Sequence, residues 1–300
     1  MTETANRHLA AEIADQPVAW AKAVDKISSA GLDCGGALPA AGERVAVVGC
    51  GTSYFMAQVY AYLREDAGQG LTDAYAASEH RLGRGYDRVV LLSRSGTTTE
   101  VLEVAEQLKG PRTTAIVGNA SMPLAGLTDD VIALDWADEQ SVVQTRFATT
   151  AVALFRAHLG EDLTDAIADC RKALDTGPDA ELVNAEQYTF LGHGSTVGLA
   201  TEAALKMRES TQSWTESYPA MEYRHGPIAI TTTGRVAWML GTPPEGLAEQ
   251  VAATGGRFET SELDPLAELV RIQRVCLAKA TAAGLDADHP RHLTRSVILT

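Results

Sequence analysis

Two turns in this sequence gather hydroxyl side chains beside glycine at points where a chain leaving a strand and entering a helix can hold an anion. The first is Gly49-Cys50-Gly51-Thr52-Ser53 and the second is Ser93-Arg94-Ser95-Gly96-Thr97-Thr98-Thr99-Glu100. Glycine permits the tight bend, and the first N–H groups of a helix have no partner within it. The hydroxyls of Ser93, Ser95 and Thr98 add short donors for three phosphate oxygens. Taken alone, the second turn also reads as a Ser/Thr N-cap with Glu100 in the first helical turn, which needs no ligand. Two such turns on successive strands favour one shared phosphate cradle, because ligands of open parallel sheets lie at the carboxyl ends of the strands. The third glycine of a dinucleotide fingerprint is missing, and so is the acidic residue that would end a second strand, which argues against a nicotinamide cofactor.

A second group of residues can move protons. Along the helical stretch from Val197 to Ser213, Glu202, Lys206 and Glu209 fall at i, i+4 and i+7 and share one face. The bland expectation for such a stripe is an exposed salt-bridge ladder. Immediately downstream, Trp214 to Pro227 reads as a long polar and aromatic connection that contains His225 and stops at Gly-Pro. A carboxylate and a histidine in one region make a plausible acid/base pair.

The elements that must position these residues follow from the pattern of apolar runs. Helical spacing runs to about Ser29, followed by a Gly/Pro-rich loop. From Arg44 the runs VAVVG, RVVLLS and TTAIVG are each followed by a turn and, for the first two, an amphipathic stretch, which predicts a parallel sheet covered by helices. The second half repeats the first. VAVVGCGTSYFMAQVYAYLRE aligns with YTFLGHGSTVGLATEAALKMR at an offset of 143 residues, from Gly49 to Gly192, with Thr52 and Ser53 opposite Ser195 and Thr196. The expected division is an N-terminal helical segment over 1–30, a first α/β domain over 31–165 and a second over 181–300, joined by a helical and then Gly/Pro-containing segment.

Composition narrows the partners. A formal net charge of −14 over 300 residues, with no basic run, disfavours nucleic acid. A hydrophobic content of 45% supports a large core. Cys34, Cys50, Cys170 and Cys276 are too scattered for a zinc site or a disulfide framework and read as reduced, mostly buried thiols. No basic n-region precedes an apolar stretch and no apolar run reaches the length of a membrane span, so the expectation is a soluble cytoplasmic protein with no metal or cofactor.

Taken together and in this order, the motifs resemble the sugar isomerase (SIS) domain family, and within it the isomerase half of glucosamine-6-phosphate synthase, over roughly Arg44 to Thr300. The resemblance implies two tandem flavodoxin-like SIS domains, each a parallel sheet sandwiched by helices. It also implies a homodimer whose active sites are shared between subunits. Thr52, Ser53, Ser93, Arg94, Ser95 and Thr98 match the phosphate-binding set, with Arg94 where glutamine is usual. LKMRESTQSWTESYPAMEYRHGP is similar to the family's LKLKE…E…ELKHGP, so Glu209 matches the base that shuttles a proton between C1 and C2. Lys206 matches the lysine beside that base, and His225 the ring-opening histidine contributed by the neighbouring subunit. Glu216 and Glu222 match supporting carboxylates. Glu139 to Arg146 resembles E-x-x-V-x-S-T-K, which places Val142 and Thr145 toward the sugar and Gln144 where serine is usual. The tail PRHLTRSVILT resembles PRNLAKSVTVE, with Arg295 where the family has an imine-forming lysine.

Arginine stays protonated and cannot form that imine. The expected chemistry is therefore abstraction of the C2 proton of an opened amino-sugar phosphate by Glu209 through an enediolate, without a glutamine-fed synthase reaction. Reprotonation gives aldose-ketose isomerisation, or deamination from a free amine; expulsion of the C3 hydroxyl of N-acetylglucosamine 6-phosphate would instead make the protein a dehydratase. A reading of another class is a non-catalytic phosphosugar sensor, which the retained Glu209 and His225 oppose.

Overall fold

The structure is a computed structural model that describes residues 5–299. The chain opens with helices α1 (Arg7–Ala14) and α2 (Gln16–Ala30), as the helical spacing predicts, and then enters a sequence of strands and helices. Its contacts divide it into two compact units that interleave along the sequence. One, the first-sheet unit, comprises Val18–Glu139, Gln144–Leu163 and the tail from Thr294; the other, the second-sheet unit, comprises the N-terminal segment to Pro17, Gln140–Val143 and Thr164–Leu293. A division by contacts thus places the C-terminal tail with the first sheet, whereas the sequential division expected from the repeat keeps it with the second.

The first sheet is built from β1 (Val45–Gly49), β2 (Thr72–Ala76), β3 (Arg88–Ser93), β4 (Arg112–Val117) and β5 (Asp130–Ala133), with α3 (Thr52–Asp66) and α4 (Thr99–Gln107) on its crossovers and α5 (Arg146–His158) after it. All neighbours are parallel and the order is β2-β1-β3-β4-β5, the flavodoxin-like order in which the winding direction reverses between β1 and β3. The central strands β1 and β3 are buried along their whole length and are largely apolar, because both faces of the sheet are covered there. Ala46, Val48, Val89, Leu91, Ala115 and Val117 pack with Val101, Val104 and Ala105 of α4. The alternate residues Val45, Val47 and Val90 are equally buried. Tyr60 of α3 stacks on Phe155 of α5 with ring centroids 4.0 Å apart.

After α6 (Thr164–Asp175) and α7 (Ala180–Asn184), the second sheet is formed by β6 (Gln187–Gly192), β7 (Trp214–Pro219), β8 (Arg235–Met239) and β9 (Arg257–Glu259). It is parallel in the order β7-β6-β8-β9, and its helices are α8 (Thr196–Thr211), α9 (Leu247–Ala253) and α10 (Pro265–Ala282). The fold class is therefore the expected one, α/β with two tandem parallel sheets flanked by helices.

The duplication extends to the backbone at the strand-to-helix turns. A Cβ on Gly49 would lie 2.7 Å from the backbone of Ser53, and one on Gly192 would lie 2.4 Å from the carbonyl oxygen of Thr196. The glycines two residues on, Gly51 and Gly194, both have positive φ, 53° and 60°. Each pair lets a strand turn directly into the helix that packs upon it.

Two expectations need correction. Trp214–Pro219 is not loop but strand β7, paired with β6 from Gln187↔Trp214 to Gly192↔Pro219. It lies at the sheet edge, half-exposed, so its side chains lack the continuous apolar run of a central strand. Of the four free cysteines, Cys170 and Cys276 are buried but Cys34 and Cys50 only half-buried. Burial pushes the Cys170 and Cys276 thiols up to about 12.

Candidate active site

The two hydroxyl turns follow β1 and β3, which are hydrogen-bonded neighbours, so both stand at the carboxyl ends of the strands that flank the reversal of winding. In the first, Thr52 and Ser53 open α3 and are buried. Cys50 stays a thiol there, because burial and then Glu100 push its pKa up. In the second, the hydroxyl of Ser93 accepts from the N–H of Gly96 at 3.2 Å and that of Ser95 accepts from the N–H of Thr97 at 3.2 Å. Gly96 is needed at φ 61°, with the Met122 side chain 2.7 Å from where its Cβ would be. Thr98 is the N-cap of α4, yet its side chain makes no capping bond. The reading of this segment as a simple Ser/Thr cap is therefore not realised by Thr98, whose hydroxyl is 3.5 Å from that of Ser95.

Arg94 does not point to solvent. It is buried, its Nη2 donates to the carbonyl of Arg295 at 2.8 Å and its Nη1 lies 3.9 Å from Glu139. Arg295 in turn places its guanidinium on the carboxylate of Asp138.

Glu139 has a role that sequence reasoning missed. Its carboxylate accepts from the N–H groups of Thr145 at 2.6 Å, Arg146 at 2.7 Å and Phe147 at 3.2 Å, and so caps the N-terminus of α5. The Thr145 hydroxyl donates to the same carboxylate at 3.1 Å and is buried. The signal was an acidic residue seven positions before a helix, too far for the usual capping pattern. Gln144, also in the first-sheet unit, buries its amide nitrogen with no hydrogen-bond partner among the described residues.

In the second-sheet unit, Val142 donates its N–H to the carbonyl of Asp288 at 2.9 Å. The turn after β6 is not a second cradle of the same kind. Thr196 uses its hydroxyl to accept from the His193 N–H at 2.8 Å and to donate to the Leu240 carbonyl at 2.9 Å.

On α8 the charged stripe is buried, which corrects the expectation of an exposed ladder. Glu202 and Lys206 are 0% and 1% exposed. The Lys206 ammonium lies 3.5 Å from Glu202 and donates to Glu209, whose side chain keeps 20% of its surface open. Burying one cation against two carboxylates is costly unless each is paired, and the stripe leaves a partly accessible carboxylate anchored by a buried lysine. Glu216 on β7 is half-buried with one carboxylate oxygen that has no partner among the described residues, and Glu222 is exposed. His225 ends a short 3₁₀ turn, Glu222–His225, and is exposed; among the described residues no hydrogen bond joins it to Glu209. Of the expected catalytic residues, then, the structure joins Lys206 to Glu209.

Residues 40–158 match the family model described as SIS domain, so the chain carries a SIS domain built on the first sheet. It is also homologous to the isomerase, C-terminal half of a larger enzyme. The glutamine–fructose-6-phosphate aminotransferase [isomerizing] of Xylella fastidiosa is 27% identical over 84% of this chain and 51% of its own length, so the chain spans about half the length of the curated relatives it matches. Glucosamine-6-phosphate deaminase from Thermotoga maritima shares the fold with a TM-score of 0.81 at 24% identity, covering 97% of this chain and 100% of that one. The C-terminal domain of glucosamine-fructose-6-phosphate aminotransferase from Francisella tularensis gives 0.80 at 22% identity, with 97% and 100% covered. No helix among the described residues is long and apolar enough to cross a membrane.

Proposed function

We propose that this chain is a sugar-phosphate isomerase or deaminase that acts on an amino-sugar phosphate without glutamine. The observation that carries the reading is the pair of hydroxyl turns at the carboxyl ends of β1 and β3, beside the reversal of winding. Ser53, Ser95, Thr98 and the first amides of α3 and α4 are donors suited to a phosphate and to little else of comparable charge density.

Glu209 is the base in this reading. It takes the C2 proton of the opened aldose and returns it at C1, while the Lys206 ammonium fixes the carboxylate and holds positive charge beside the developing enediolate. From a free 2-amino sugar the rearranged imine loses ammonia to water and leaves the ketose. Arg295 supports a route without a lysine imine, since its guanidinium is protonated and held by Asp138. The exposure of His225 fits a ring-opening residue donated to the site of a second copy in a homodimer.

The test is exchange of the C2 hydrogen of glucosamine 6-phosphate with solvent deuterium, followed by NMR. The wild-type chain should exchange it and release ammonia, and Glu209→Gln should slow the exchange by roughly 10²–10⁴-fold, the usual worth of a positioned base. Binding of the sugar without exchange would make the chain a sensor, and an unimpaired Glu209→Gln would show that another group is the base.

A further inference from the structure

The hydroxyl turn after β3 is occupied in this structure by the chain's own tail. Ser296 brings its hydroxyl to 3.2 Å from that of Ser95, 3.0 Å from that of Thr97 and 3.5 Å from that of Thr98. Its neighbours complete the seat. The carbonyl of Val297 accepts from the N–H of Thr99, the first residue of α4, at 3.2 Å, and the N–H of Leu299 donates to the Thr99 hydroxyl at 2.9 Å. The Arg295 carbonyl is held by Arg94 at 2.8 Å. All these residues belong to the first-sheet unit.

The donors engaged in this way are those that would bind an anion. A free N–H at a helix N-terminus and three converging hydroxyls form an oxyanion seat, and here one carbonyl oxygen and one hydroxyl oxygen of the tail take the positions of anion oxygens. Neither carries a charge, so a phosphate dianion makes stronger bonds to the same donors. A phosphate oxygen and the Ser296 oxygen cannot occupy one point between Ser95, Thr97 and Thr98.

The geometry points to the tail from Arg295 to Leu299 as a displaceable strap that fills the phosphate seat and must leave it when a phosphosugar binds. This inference rests on the proposed phosphate cradle. It adds that ligand affinity is set partly by the fraction of chains whose strap is out, since the apparent dissociation constant rises as the competent fraction falls. The strap is built to leave. Val297, Ile298 and Leu299 are all exposed, so apolar burial adds little to the polar contacts that hold it.

Calorimetry with glucosamine 6-phosphate on the wild-type chain, Ser95→Ala and Ser296→Ala tests this, together with the rate of tryptic cleavage after Arg295 with and without the sugar phosphate. Ser296→Ala should bind about threefold or more tighter, Ser95→Ala should bind more weakly, and ligand should speed cleavage of the wild-type tail. If Ser95→Ala weakens binding but Ser296→Ala is unchanged or weaker, or if ligand protects the tail, the strap is overturned while the phosphate cradle stands. If Ser95→Ala binds as well as wild type, the phosphate does not use this turn and both readings fall.

Discussion

Arg94 donates to the main-chain carbonyl of Arg295 at 2.8 Å, so the two arginines that stand where the resembling family has glutamine and lysine meet each other. The bond reaches from the turn after β3 to the C-terminal tail and is made by a side chain only 4% exposed. Arg94→Gln shortens the side chain and removes its charge. It should cost about 1–3 kcal/mol of stability, the worth of a buried charged hydrogen bond, read from the urea midpoint. Tryptic cleavage after Arg295 should also accelerate in the absence of ligand. A variant with the wild-type midpoint and cleavage rate would show that this bond does not hold the tail.

A pH-dependent contribution resides in the first-sheet unit. Burial pushes the His158 imidazole below its ordinary 6.5, opposed by its hydrogen bond to the Leu32 carbonyl at 2.7 Å, with Arg64 and Arg88 lowering it further and Asp33 raising it. Above that value the ring is neutral in folded and unfolded chains alike. As pH falls through 6.5 the unfolded chain takes up a proton that the folded chain resists, so stability is lost from there down and levels off once the folded ring also protonates. Thermal melts from about pH 7.5 to about pH 5 should fall more steeply for wild type than for His158→Gln, which keeps a donor but does not titrate. Asp129, Asp169 and Asp179 are held below 3.8 by hydrogen bonds to the Thr113 N–H, Lys172 and Arg257 respectively. Their stabilisation is present above that value and is lost only in stronger acid, outside this window. Equal slopes for the two chains would remove His158 as the source.

Much of the fold was legible because buried parallel strands are continuous apolar runs and the glycines after them are sterically required. VAVVG and RVVLLS became β1 and β3, and the repeat offset that pairs Gly49 with Gly192 pairs two turns of the same geometry. The elements that escaped were β2, β5, β7 and β9, short or half-exposed strands whose pattern does not separate them from loop. For the site, residue type and spacing brought out the hydroxyl turns and the stripe on α8, but not its burial, since the charge pattern of a solvated face and that of a buried ion cluster are the same until packing partners are known. Contacts distant in sequence were invisible: nothing local to Ser296 announces that it lies on Ser95, 201 residues away, and nothing in Glu139 announces a cap.

Lys206 is the residue on which stability and chemistry meet. The residue is 1% exposed, and its ammonium lies between Glu202, which is fully buried, and Glu209, which is partly open. Lys206→Met keeps the length of the side chain and loses the charge. Glu209 can then turn to water, whereas Glu202 cannot, and a buried carboxylate that loses a neighbouring cation is expensive. The variant should lose about 3–5 kcal/mol, measured by urea unfolding. The double variant Lys206→Met with Glu202→Gln removes the buried negative charge as well as the cation beside it, so it should regain much of that loss, a non-additivity expected of groups in contact. Activity should separate from stability across the same pair. The double variant, folded again, still lacks the ammonium beside Glu209, and C2 exchange should stay slow in it. Recovery of stability and exchange together would assign Lys206 a purely structural part. Recovery of stability alone places its charge in the reaction.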